Sequence, residues 1–142
     1  MSATAFFKNQ VYAVLGASAD PSKFGNKVLC WYLERQLNAI PINLKADSIE
    51  SVKCIKSIAD LADPGSTSVS VITPPAVTLS VLNQAYDLGI RHLWLQPGCE
   101  SQEVYALIKE WRESNNEINV LLGGPCILVE GDAALAAASN KL

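Results

Sequence analysis

The stretch Tyr12-AVLGASADPSKFGNKVLCWYLER-Gln36 decides how this chain is read. The apolar run Val11–Leu15 is continuous, as expected of a strand buried on both faces. It stops at Gly16. A loop of small and polar residues follows, from Gly16 to Gly25. From Asn26 to Gln36 the apolar residues Val28, Leu29, Tyr32 and Leu33 recur at helical spacing, with Glu34 and Arg35 outside. Strand, glycine turn and helix in that order present free backbone N–H groups and a positive dipole end to a phosphate. The spacing G-x-G-x-x-G is absent, so the nucleotide is not specified by this loop. Gly16 permits a tight turn and a close approach of ligand to backbone. Ser18 adds a hydroxyl and Lys23 a charge.

Outward from this unit the same alternation continues. Ala39–Leu44 is a second strand, although Pro41 donates no ladder hydrogen bond. Ser48–Leu61 is an irregular connection in which residues 57–61 form one or two helical turns. Ser68–Ile72 is a third strand and ends at Thr73-Pro74-Pro75. A helix from about Ala76 to Leu88 is closed by Gly89. Arg91–Leu95 is a fourth strand, ended by Gln96-Pro97-Gly98. Ser101–Ser114 is a helix with Ser101 and Glu103 in its first turn. Asn119–Leu122 is a fifth strand, ended by Gly123-Gly124-Pro125-Cys126, and an alanine-rich, helical or frayed tail begins near Gly131. Strands alternating with helices predict a single α/β domain, a Rossmann-like doubly wound parallel sheet of about five strands. The expected strand order is 3-2-1-4-5, with residues 7–130 as the core.

Bulk properties narrow the function classes. The 142 residues carry a formal charge of -3, which argues against a general nucleic-acid binder. No run of about 20 apolar residues predicts a membrane span. The N-terminus lacks an apolar stretch of leader length. Four cysteines without a C-x-x-C pair, and a single histidine, argue against a zinc site. They fit small core thiols in a reducing, cytoplasmic setting. His92 lies early in the fourth strand and reads as structural. Trp31, Trp94 and Trp111 read as core or interface. Cys99 and Cys126 follow turns near the expected pocket, and neither has a sequence-evident base.

All the notable loops fall at strand carboxyl ends, where open α/β sheets bind ligands. NAD binders place an acid after the second strand. Here Asn43-Leu44-Lys45 stands instead, with Asp47 further on. A lysine there favours a phosphate on the ribose, as in NADP or coenzyme A.

The segments VLGASADPSKFGNKVLCWYL, VSVITPPAVTLSVLNQAYDLGIRHLWLQPGCES and GGPCILVE resemble the small single-domain CoA-binding proteins, which are similar to the CoA-binding domain of the succinyl-CoA synthetase α-subunit. The resemblance covers roughly Phe7 to Glu130. It implies CoA bound across the strand ends. Gly16, Ala17, Ser18, Lys23, Phe24 and Gly25 would line the diphosphate and pantetheine region. Asn43 and Lys45 would lie near the adenosine and its 3′-phosphate. Thr73, Pro74 and Pro75 would border the nucleotide, and Gln96, Pro97 and Gly98 would close the pocket. The family usually has Asn-Pro-Lys after the second strand; Leu44 lacks proline's fixed φ. The ligase domain with its phosphorylated histidine has no counterpart here. The leading expectation is a binder of CoA or acyl-CoA without catalysis of its own, acting as a monomer or an oligomer, with no protein partner named by the sequence. The alternatives are an NADP- or NAD-binding oxidoreductase or redox sensor, and a structural or interaction protein with a degenerate pocket.

Overall fold

The computed structural model describes residues 2–114, 117–124 and 126–139. In chain order the elements are α1 (Ala3–Phe6), β1 (Val11–Leu15), α2 (Phe24–Glu34), β2 (Asn38–Ile42), β3 (Ser48–Ile49), β4 (Val52–Lys53), β5 (Thr67–Val71), α3 (Pro75–Leu88), β6 (His92–Leu95), α4 (Gln102–Glu113), β7 (Asn119–Leu121) and α5 (Ile127–Ser139). Two 3₁₀ turns, Ile58–Asp60 and Pro64–Ser66, lead into β5.

The main sheet is five-stranded and parallel, in the order β2-β1-β5-β6-β7. Counted along these five strands the order is 2-1-3-4-5, not the expected 3-2-1-4-5. The reason lies at Ile55. This residue makes one parallel bridge to Ile42, donating its N–H to Pro41 O and accepting from Asn43 N. It holds the place of a strand outside β2 with a single residue. The segment read as strand three, now β5, therefore lies beside β1 on the other side. Pro41 is tolerated because β2's outward edge carries only this bridge, so no ladder bond with β1 is lost.

Two apolar layers sandwich the sheet. β1 alternates: Ala13 joins the layer of α3 and α4, while Tyr12 and Val14 join that of α1, α2 and α5. β5 is buried along its whole length, as a central strand must be. Its polar side chains are all matched: Ser68 donates to Phe6 O (2.6 Å), Thr67 to Asp63 O (2.7 Å), and Ser70 shares a 2.7 Å bond with the Tyr32 hydroxyl. Burial pushes the Tyr12 hydroxyl up to about 12, and drives that of Tyr32 up as well. The tryptophans are core: Trp94 is fully enclosed and meets Phe6 edge-on at 5.5 Å, and Trp31 and Trp111 are buried.

Local chemistry sets the helix ends. α3 starts with Pro75 in its first turn and stops at Gly89, whose φ of +86° makes a left-handed cap. Ser101 caps α4 by accepting from Val104 N at 3.2 Å. α5 starts before the expected Gly131. α1, too short for any periodicity, lies outside the sequence expectation. Arg35 at the end of α2 forms a forked pair with Asp132 of α5 (2.6 and 3.0 Å) and lies over the Trp31 ring.

His92 sits at the start of β6, at the far edge from the strand carboxyl ends, 3.2 Å from the Asn119 amide. Burial lowers its pKa. The neutral ring is favoured in the fold, so stability is fully present above the unfolded value of about 6.5 and is lost as pH falls through the interval below it. A His92→Asn variant is expected to show a flatter stability profile as pH falls below about 6.5, measured by urea unfolding at each pH.

Candidate nucleotide-binding site

The carboxyl ends of β1 and β5 face each other across the switch in strand order. Ile72 N donates to Leu15 O at 2.8 Å, so the chains after the two strands stay in contact. Gly16 leaves β1 at φ +99°, and a Cβ there would lie 1.9 Å from Ile72 O. Gly25, in the first turn of α2, sits against the same spot: its Cβ would lie 1.9 Å from Gly16 O. Glycine at both positions brings the amino end of α2 onto the strand end. Lys23 is the N-cap and makes no side-chain capping bond, so the leading N–H groups of α2 are not covered by a side chain.

The loop between is shaped by side chains. Ser18 Oγ accepts from Asp20 N, and Asp20 accepts from the N–H and hydroxyl of Ser22. These Ser22 bonds hold the exposed Asp20 carboxyl below the usual carboxylate range. Two asparagine amides grip the loop's carbonyls: Asn43 donates to Ala17 O and Asn26 to Ser18 O, both at 2.9 Å. Every described peptide bond is trans, so the N–H groups of Ser18 and Ala19 point the opposite way from those carbonyls. Among the described residues they enter no hydrogen bond.

Asn43 does a second job. Its Oδ1 accepts from Lys45 N and Ala46 N, both at 2.8 Å. This side-chain turn fixes the path to Lys45 where proline would otherwise restrict φ, and leaves Leu44 79% exposed at the rim.

Two cavities run along this edge of the sheet. The first, about 410 Å³, is lined by Gly16, Ala17, Asn43, Lys45, Thr73 and Pro74, with an apolar wall that includes Ile42, Leu44 and Val77. The second, about 370 Å³, is lined by Phe24, Pro97, Gly98, Cys99 and Cys126. Ile72 and Thr73 line both, so the two hollows adjoin. Their sizes are those of small-molecule pockets. Lys56 also lines the first cavity. It was not legible in the sequence because it falls in the irregular connection; the Ile55 bridge brings it beside Asn43. Among the described residues neither Lys45 nor Lys56 has an ion-pair partner.

The remaining expected site residues lie differently. Ser18, Lys23 and Gly25 shape the first loop without lining either cavity. Pro75 opens α3 and faces a separate hollow with Ala76, Leu79, Ser101 and Glu103. Gln96 is fully buried. Its Oε1 accepts from Ile127 N at 3.0 Å, capping α5 from within, and its Nε2 has no partner among the described residues. A polar residue in a turn looks ligand-facing in sequence; here it serves a helix start. Pro125 lies outside the described residues. Glu100 ties the last two loops, accepting from Gly98 N (2.9 Å) and Gly123 N (3.1 Å). Cys99 is 2% exposed; its thiol donates to Val71 O, and burial pushes its pKa up, against the hydrogen bond from Thr73 N. It is therefore a poor nucleophile. Among the described residues no cluster of His, Cys, Asp and Glu could hold a metal, and no helix is long and apolar enough to cross a membrane.

Known proteins resemble this chain in fold or in sequence. A conserved hypothetical protein from Pyrococcus furiosus superposes with a TM-score of 0.70 at 33% identity, covering 86% of this chain and 98% of that one. The chain is 34% identical over 71 residues to the α-subunit of the ADP-forming acetate–CoA ligase II of Pyrococcus furiosus, covering 49% of this chain. It is 27% identical over 114 residues to the ADP-forming acetate–CoA ligase of Methanocaldococcus jannaschii, covering 80% of this chain. It spans only 15% and 16% of those two ligases. Residues 10–132 match the family described as the CoA binding domain, and this chain belongs to that family.

Proposed function

We propose that this protein binds CoA or an acyl-CoA along the strand carboxyl ends and has no catalysis of its own. The observation that carries the reading is the pair of adjoining hollows along the strand carboxyl ends. It offers an apolar wall with two unpaired lysines at one end and an apolar chamber at the other. That pattern suits a long ligand with a phosphorylated nucleoside at one end and a slender, apolar-tolerant arm at the other. In this reading the backbone N–H groups after Gly16 and at the start of α2 receive the diphosphate. Lys45 and Lys56 face the phosphate on the ribose, and Leu44 and Val77 cover the base. Four unpaired thiols suit a reducing, cytoplasmic setting. The ligase activity of the longer relatives is not carried over; if this chain serves such chemistry, it does so by presenting CoA to a partner.

Calorimetric titration with CoA, dephospho-CoA, NADP and NAD tests the proposal. Saturable CoA binding that weakens on removal of the 3′-phosphate supports it. No CoA binding below millimolar concentration overturns it. The lysine pair also favours a second reading, an NADP-binding redox module, since NADP carries a ribose phosphate too; preference for NADP over CoA in competition would put that reading first.

A further inference from the structure

The β3–β4 hairpin is joined by two residues, Glu50 and Ser51, with φ of +50° and +65°. A two-residue hairpin turn with both central residues at positive φ is normally Asn-Gly, because a side chain beyond Cβ resists that backbone. Glutamate and serine there are strained. Such outliers persist where the surroundings over-determine them and something is gained. The gain is visible at Asn26. Glu50 Oε2 accepts from Asn26 Nδ2 at 3.1 Å, and the same Nδ2 donates to Ser18 O at 2.9 Å. On its other side Asn26 Oδ1 accepts from the Cys30 thiol at 3.4 Å, so the amide has one satisfied orientation. Asn26 is 3% exposed. A strained turn some 30 residues downstream in sequence, by the count from Ser18 to Glu50, thus fixes the asparagine that turns the Ser18 carbonyl.

We propose that Glu50 is a positioning residue for the ligand loop: through Asn26 it holds the Ser18 carbonyl aside, so that the Ala19 N–H is kept available to an anionic ligand. The ligand side of this inference rests on the CoA reading above; the loop-ordering side does not. Without the carboxylate, the Asn26 amide loses one of its two acceptors and the peptide between Ser18 and Ala19 is freer to turn. Glu50 touches no part of the cleft itself, so its removal weakens every ligand that uses the diphosphate region alike.

The test uses Glu50→Ala, Glu50→Gln, and the double change Glu50→Asn with Ser51→Gly, each as the full chain. Hydrogen exchange of the ligand-free proteins comes first. Glu50→Ala is expected to speed exchange over residues 17–26 while leaving β5 and β6 unchanged, and Glu50→Gln, whose amide oxygen still accepts, to restore the wild-type rate. Unchanged exchange over that segment in Glu50→Ala overturns the proposal, whether or not the protein binds CoA. Titration comes second. Glu50→Ala is expected to lose roughly tenfold in affinity for CoA and for dephospho-CoA alike, the worth of about one hydrogen bond. The Asn-Gly variant separates positioning from mere stability. It relaxes the turn, so it is expected to melt at or above the wild-type temperature and yet bind as weakly as Glu50→Ala. Wild-type affinity in that variant overturns the proposal. If the wild type binds no CoA, the functional reading fails, and exchange alone decides the role of Glu50.

Discussion

Gly25→Ala is expected to cost more than about 3 kcal/mol of stability and to abolish ligand binding in whatever fraction stays folded. The new methyl would sit 1.9 Å from the Gly16 carbonyl oxygen and 3.3 Å from Ala17 Cα. Both obstacles are backbone, so no side-chain rotation relieves the overlap. Either α2 moves out from the sheet, opening the layer that holds Val28, Leu29 and Tyr32, or the turn at Gly16 shifts. Gly16 cannot shift cheaply, since it is held at φ +99° with Ile72 O directly beneath it. Urea unfolding and CoA titration of the variant measure the two effects separately. Near wild-type stability would mean that α2 is free to slide, and the close approach of its amino end to β1 would no longer be a requirement of the fold.

Lys45→Ala is expected to weaken CoA by about tenfold or more while leaving dephospho-CoA nearly unchanged, the pattern of one charge-assisted contact to the 3′-phosphate. Lys56→Ala should show the same selectivity. Because both lysines line one cavity and would face one phosphate, the double variant should lose less than the product of the single losses, a coupling that a double-mutant cycle resolves. Both side chains are exposed, so the selectivity should also shrink between low salt and about 0.5 M salt. Equal losses for CoA and dephospho-CoA would remove the lysines from the phosphate.

The alternation of buried strands and amphipathic helices was readable because each run kept its period. Val11–Leu15 matches β1 at both ends, α3 starts one residue earlier than expected and ends at the same Leu88, and α4 is one residue shorter than expected at each end. The order of the strands was not readable, because the outer neighbour of β2 has shrunk to Ile55 and one residue has no period. The same compression hid Lys56. Gly16 and Gly25 announced themselves by type, since close backbone approach leaves no other choice. Gln96 misled for the opposite reason: an amide suits a ligand or a helix start equally, and only the position of α5 decides between them. Glu50 was invisible because its role depends on a hairpin whose turn carries none of the residues that usually mark one.

At the far edge of the sheet, Ser2 and Asn119 exchange two 2.7 Å hydrogen bonds, and Phe6, three residues into α1, is fully enclosed against Trp94. The two hydrogen bonds join positions 117 apart in sequence. A chain emerging from the ribosome therefore cannot seat its first helix until β6 and β7 have been synthesised. Until then Phe6 and Phe7 have only each other, Tyr12 and Trp31 as aromatic neighbours and lack the Trp94 ring. The aromatic cluster under α1 is thus completed only after β6 has joined the sheet.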